Sequence, residues 1–212
     1  MLNSNQKTHK VFNLIILDES GSMNSIKETI ISGFNEVVQT VKGVAEQYPE
    51  QGHFISLVTF NSLHTKTLLE NESVEKLNEI DKTKYNPTAG TPLFDAMGNS
   101  ISQLRKITQT HSEYNVLVTI LTDGEENSSK EFNGATIKKM VEELKQENWT
   151  FTYIGANHDV EAFAATISIT NTMKFEANTQ DIKKMFSKEK ASRMKYSAKI
   201  RNNEDTKDDF YS

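Results

Sequence analysis

Asp18-Glu19-Ser20-Gly21-Ser22 places a carboxylate and two hydroxyls at alternate positions. At the end of a strand, this spacing turns three oxygens toward one point, and Gly21 lets the backbone bend between the serines. A helix starting directly afterwards adds its positive end, which favours an anion bound there. By itself the pattern is common, and Ser22 would cap its helix with or without an ion. Two further loops add oxygen donors. Gly90-Thr91-Pro92-Leu93 puts a hydroxyl just before a helix, and Thr122-Asp123-Gly124 puts a carboxylate just after an apolar run. The carboxylates of Asp18 and Asp123 with the hydroxyls of Ser20, Ser22 and Thr91 form an all-oxygen set. Such a set selects a hard cation, Mg²⁺ first with Mn²⁺ or Ca²⁺ as substitutes, over zinc or copper. Mg²⁺ takes six oxygens and keeps waters, so this partial cage leaves a position that a partner's Asp or Glu carboxylate would complete.

The loops meet only if the intervening elements bring them to one edge. Val11 to Leu17 is a near-continuous apolar run, suited to a central strand covered on both faces. Ile26, Ile30, Phe34, Val37, Val41 and Val44 recur at helical spacing until Tyr48-Pro49. Phe54 to Phe60 and Leu63 to Leu69, joined through Asn61-Ser62, read as a hairpin whose second strand is antiparallel and at an edge. A short helix is predicted over 73–80 and another from Pro92 through Ile107. A buried strand follows over 115–122, then a helix near 134–147 and a strand over 150–154. A helix capped by Asn157, a short strand near 173–175 and a last helix from about 180 complete the chain. Alternating strands and helices give a mostly parallel sheet between two helix layers, with ligands gathering at the carboxyl ends of its strands.

The composition narrows the function. The chain has 212 residues, 24 Lys+Arg against 29 Asp+Glu, a net charge of −5 and no cysteine. That length suits one domain, assigned to residues 11–190, with an N-terminal extension over 1–10 and a charged tail over 191–212. Disulfides, thiolate metal sites and cysteine nucleophiles are ruled out. No apolar run is long enough to cross a bilayer, and residues 1–10 hold no signal-peptide core, so a cytoplasmic location is expected. Residues 181–212 carry nine Lys+Arg and six Asp+Glu, a net +3 that leaves −8 for the remainder. An acidic body argues against nucleic acid as a partner. The basic stretch 183–201 reads as a solvated helix running into a frayed tail.

Asp18-x-Ser20-x-Ser22, Thr91 in Ala89-Gly90-Thr91-Pro92-Leu93, and Asp123 in Leu121-Thr122-Asp123-Gly124-Glu125 resemble a von Willebrand factor type A domain with a metal-ion-dependent adhesion site. The order is the family's own, and the resemblance spans roughly residues 10–180. It implies a doubly wound, Rossmann-like α/β fold of six strands with one antiparallel edge strand and helices on both faces. It also implies that the serines bind the metal directly and the aspartates bind it directly or through water, and the protein is expected to be of the stand-alone intracellular type. Thr91 would join or leave that shell with conformational state, and it is preferred to Thr88 because it directly precedes Pro92. The function implied is cation-dependent binding of a protein partner, as a subunit or adaptor of a larger assembly.

Glu19, Glu125 and Glu126 border the site as loop carboxylates that would repel strongly acidic partners, and His158 in Asn157-His158-Asp159 falls on the same rim. His53 and His64 lack partner spacing, Trp149 reads as packing, and the methionines read as core filler. No phosphate-binding loop, nucleophile elbow or His-Glu-x-x-His motif is present, so no enzymatic activity is expected. Two alternatives stand beside this reading. One is a metal-dependent phosphohydrolase, and the other is a structural subunit with a vestigial metal site that uses 183–201 as its contact surface.

Overall fold

The computed structural model describes residues 9–212, so most of the expected extension 1–10 lies outside the described residues. The elements in chain order are β1 (His9–Asp18), a 3₁₀ segment (Gly21–Ile26), α1 (Lys27–Gln47), β2 (Gln51–Asn61), β3 (His64–Ser73), α2 (Leu93–Thr108) and β4 (Tyr114–Thr122). They continue with α3 (Gly134–Lys145), β5 (Trp149–Gly155), α4 (Val160–Thr166), β6 (Asn171–Lys174) and α5 (Thr179–Arg201). The sheet order is β3-β2-β1-β4-β5-β6, with β3 antiparallel to β2 and every other pair parallel. This is the six-stranded α/β fold expected from the sequence.

Alternation along β1 sends its side chains to opposite layers. Val11, Ile15 and Leu17 pack with Ile30, Phe34 and Val37 of α1 and Ile182 and Phe186 of α5. Phe12, Leu14 and Ile16 pack with Leu93, Met97 and Ile101 of α2 and Ile137 and Val141 of α3. Both faces of β1 and β4 are therefore covered, which is why their sequences are apolar but for a few polar residues such as Asn13 and Thr119. β3 alternates half-buried with exposed residues, as an edge strand must. The chain leaves β1 for β2 on one side, while β4 pairs with β1 on the other, in a register that sets Leu17 beside Leu121. Order reverses between β1 and β4, so Asp18 and Asp123 leave the sheet at its switch point.

Three expectations change. The helix predicted over 73–80 is a single turn, Val74–Lys76. Val74, Leu77 and Ile80 are buried as the spacing requires, but Leu77 is already extended. The side chain of Asn35 takes over the Ile80 backbone, accepting from its N–H and donating to its carbonyl, both at 3.0 Å. The helix after β5 is capped by Asp159, which accepts from the Ala162 N–H at 3.1 Å, whereas Asn157 takes a left-handed φ of 61°.

The largest change is at the C-terminus. α5 runs unbroken through position 190, and its inner face carries the buried pair Arg193–Glu189 at 2.8 Å. Arg193 also donates to Asn13 of β1 and Thr119 of β4, and Tyr211 donates to Glu189. Phe210 and Tyr211 are buried, so the expected frayed tail is a strap folded under the helix. Among the described residues, no helix is long and apolar enough to cross a membrane.

Candidate metal centre

The three oxygen-bearing loops converge. Ser22 donates its hydroxyl to Oδ1 of Asp123 at 2.6 Å, and the hydroxyls of Ser20 and Ser22 lie 3.2 Å apart. Asp18 is fully buried, and both of its oxygens are engaged. Oδ1 accepts from the Ser20 N–H at 2.7 Å, and Oδ2 accepts from the Thr122 hydroxyl at 2.6 Å. Thr91 is buried at the start of α2, and its Oγ1 faces Gly124, 3.8 Å from where a Cβ would stand. Ser22 and Gly21 are exposed, which leaves the cluster open to solvent on one side.

The loop before α2 is laid over the Asp18 loop by backbone pairing. Thr88 N–H donates to the Glu19 carbonyl at 2.9 Å, and Gly21 N–H donates to the Ala89 carbonyl at 3.0 Å. Tyr85 donates its hydroxyl to the Asp18 carbonyl at 2.6 Å from a fully buried position. On the far side, Asn127 accepts from the Thr91 N–H at 2.9 Å and returns its own N–H to the Thr91 carbonyl at 3.1 Å. The serine, threonine and aspartate loops are thus pinned to one another.

Burial pushes the Asp18 carboxyl up to about 6, against the hydrogen bonds from Thr122 and Ser20, and nearby Asp123 adds to the rise. Asp123 is also raised by burial. Two carboxylates held with too little compensating charge are what a bound cation would relieve. The spacing agrees. Adjacent ligands of an octahedral Mg²⁺ at about 2.1 Å stand roughly 3 Å apart, close to the separation of the two serine hydroxyls. Among the described residues, no group of three or more His, Cys, Asp or Glu side chains gathers as a metal cluster. The donors that do converge, two carboxylates with neutral hydroxyls, fit a hard cation held partly through water.

The rim residues behave differently. Glu125 is exposed. Glu19 is not a rim group: it is fully buried, accepts from the Asn86 N–H and faces His64 at 3.3 Å. The strand alternation that points Asp18 into the cluster points Glu19 away from it, toward β3, so His64 is not incidental. Glu126 is spent on structure, accepting from the N–H groups of Phe94 at the start of α2 and of Ser128 and Ser129. His158 donates from Nδ1 to the Ala156 carbonyl at 2.6 Å, which leaves Nε2 to accept from Tyr153 at 3.2 Å. Sequence reasoning missed Thr122, Tyr85 and Asn127. Thr122 adjoins Asp123 and was within reach, but the other two act through contacts distant in sequence.

A family model described as von Willebrand factor type A domain matches residues 14–193. A search of curated proteins gives no significant match. Among solved structures, a von Willebrand factor type A protein from Catenulispora acidiphila superposes with a TM-score of 0.59 at 16% identity, covering 88% of this chain and 43% of its own. The vWF domain of the type V pili tip protein Mfa5 from Porphyromonas gingivalis gives 0.55 at 12% identity, covering 85% of this chain and 95% of its own. The SpRpn10 VWA domain gives 0.51 at 13% identity, covering 84% and 94% respectively. This chain spans less than half the length of the first of these structures. At such identities the likeness is one of fold.

Proposed function

The chain belongs to the von Willebrand factor type A family, a family of protein-interaction modules, and from that premise we propose that it binds a protein partner through a divalent cation at the strand-end cluster. Asp18, Ser20, Ser22, Thr91 and Asp123 are the proposed ligands, directly or through water, with Mg²⁺ the first choice and Mn²⁺ or Ca²⁺ as substitutes. Bound there, the ion supplies an electrophilic position for an Asp or Glu carboxylate of the partner. The chain would act as a subunit or adaptor of a larger assembly.

The observation that carries this reading is the Ser22–Asp123 hydrogen bond beside the Ser20–Ser22 contact, which draws donors from two distant loops to one point. Each protein group has a task. The Ser20 N–H and the Thr122 hydroxyl hold the Asp18 carboxylate in place by one hydrogen bond to each oxygen. Serine and threonine hydroxyls add oxygen without charge, so two carboxylates leave a dication only just neutralised and receptive to a third. Glu19, the other carboxylate of this loop, is turned away and buried. A binding role is supported over a hydrolytic one by His158, whose ring nitrogens are both spent on Ala156 and Tyr153 and are not available to draw a proton from water.

Calorimetric titration with MgCl₂, followed by capture from host extract in Mg²⁺ or in EDTA, tests the reading. One site is expected, abolished by Asp18→Ala, with a protein retained only when Mg²⁺ is present. Equal retention in Mg²⁺ and EDTA removes the cation bridge. Phosphate-ester turnover that needs both Mg²⁺ and Asp123 would replace binding by hydrolysis.

A further inference from the structure

α5 has 23 residues, about 34 Å of helix. The fold uses chiefly its inner face, although Lys195 donates to the Ser212 carbonyl at 2.7 Å, Lys188 lies over the Tyr211 ring and Arg201 pairs with Glu50. Outward, Lys184, Lys188, Lys195 and Lys199 form one row, and Lys183 and Lys190 form a second. Between them runs a low stripe, Ser187, Ala191, Met194 and Ala198, at spacings of four, three and four. Met194, 40% exposed, is one of two large hydrophobic residues exposed among the described residues. Beside Met194 and Lys190, a groove of about 570 Å³ opens between α5 and α1, floored in part by Gly43 and Val44.

Stability accounts for only part of this face. Lys184/Lys188 and Lys195/Lys199 are like-charge pairs four residues apart, which oppose the helix that carries them. On α3, by contrast, Lys138 and Lys139 each have a glutamate four residues on, at 4.0 and 3.9 Å. Among the described residues, the only ion pair made by the α5 lysines is Lys184–Asp181 at 3.9 Å. The one acid further along the helix, Glu189, is buried against Arg193.

We infer that the outer face of α5 docks an acidic amphipathic helix of a partner protein. The four-three-four stripe is the spacing of a helix–helix seam, and its small side chains permit close approach. Glutamates flanking the partner's apolar seam meet a lysine row on either side, and a large apolar residue of the partner enters the groove beside Met194. A phosphodiester chain fits less well. The two arginines of α5 are committed, Arg193 inside the core and Arg201 to Glu50, and the stripe offers no aromatic ring for base stacking. An anionic membrane would face a body of net −8 and find only Met194 to insert. This surface lies along the helix flank and needs no metal, so it stands or falls apart from the strand-end site.

The test uses the full chain and a fluorescent 21-residue peptide with leucine at its a and d positions and glutamate at e and g. Anisotropy should show saturable binding that weakens as salt rises and is unchanged by EDTA or by Asp123→Ala. Lys184→Glu/Lys190→Glu should weaken it about tenfold or more, and Met194→Glu should do so with every lysine intact. Far-ultraviolet dichroism should show both variants folded as wild type. No saturable binding, equal binding of a peptide with leucines and glutamates shuffled, or indifference to charge reversal overturns the inference. So does tighter binding of oligo-dT or of phosphatidylserine vesicles. Loss of peptide binding in EDTA would also overturn it, by moving the contact to the strand-end site.

Discussion

The hydroxyl of Ser22 donates to the carboxylate of Asp123 at 2.6 Å, across 101 positions of sequence. One residue follows β1 and the other follows β4, and these strands are neighbours only because chain order reverses between them. The bond therefore reports the topology and the chemistry together, since the switch point of the sheet is where two acidic loops are forced into contact.

Removing that hydroxyl separates binding from folding. Ser22 is exposed, so Ser22→Ala should cost only about 1 kcal/mol of stability. It should nonetheless remove most of the thermal-shift response to Mg²⁺, because it deletes a proposed ion ligand and frees Asp123 to turn. Melting curves in EDTA and in 5 mM MgCl₂, wild type beside variant, check both halves. A variant that keeps the full Mg²⁺ response would remove Ser22 from the ligand set.

If the proposed site binds Mg²⁺, Asp18 should make that response depend on pH. A carboxyl raised on folding contributes stability below its unfolded value of 3.8, and that contribution is lost as pH rises through about 6. The difference is worth roughly 3 kcal/mol between the two limits. Without metal, the Asp18 contribution should therefore fall toward neutrality, and Mg²⁺ should restore it, stabilising more at pH 7.5 than at pH 5. Asp18→Asn should be more stable than wild type in EDTA at pH 7.5 and indifferent to Mg²⁺. The fold tolerates the amide because the Thr122 hydroxyl has a second acceptor, the Gly124 carbonyl at 3.0 Å. Urea titrations at the two pH values decide this.

His53 has the opposite sign. It is buried on β2, neither ring nitrogen has a partner among the described residues, and burial, with Arg193 and His9 nearby, holds its imidazole down to about 4. A histidine depressed on folding contributes fully above its unfolded value of 6.5, and the contribution is lost as pH falls toward 4. His53→Leu should therefore lose less stability than wild type between pH 7 and pH 4.5, by roughly 2–3 kcal/mol. Measuring both proteins in EDTA cancels the Asp18 contribution, since the sites are far enough apart to add. Parallel curves for the two proteins would show that His53 does not titrate in this range.

The central strands were legible because burial on both faces leaves a near-continuous apolar run, as in Val11 to Leu17 and Val116 to Leu121. The convergence of Asp18, Ser20, Ser22 and Asp123 followed from where those runs stop. Glu19 was misread because only a pairing with β3 reveals that His64 waits for it on the other side of the strand. Glu126 was misread because its partner is the start of α2, thirty-two residues earlier. α5 looked solvated because its buried face includes Glu189, Ser192, Arg193 and Ser197, which dilute the apolar stripe that marks a packed helix. What escaped the sequence in each case was a polar group satisfied by a distant partner.

Gly33 sets how closely α1 and α5 approach. A Cβ there would stand 1.9 Å from Cε2 of Phe186, so the ring or the helix must shift to admit it. Gly33→Ala should therefore displace the Phe186 ring and destabilise the protein by about 1–3 kcal/mol, despite alanine's better helix propensity. Phe186→Leu should cost a similar amount by leaving a void. The double variant should lose clearly less than the sum, because the added methyl occupies space the smaller side chain vacates. Urea denaturation of the four proteins gives the coupling directly. Strict additivity would mean that the two helices separate as rigid bodies and that the glycine is not what holds them close.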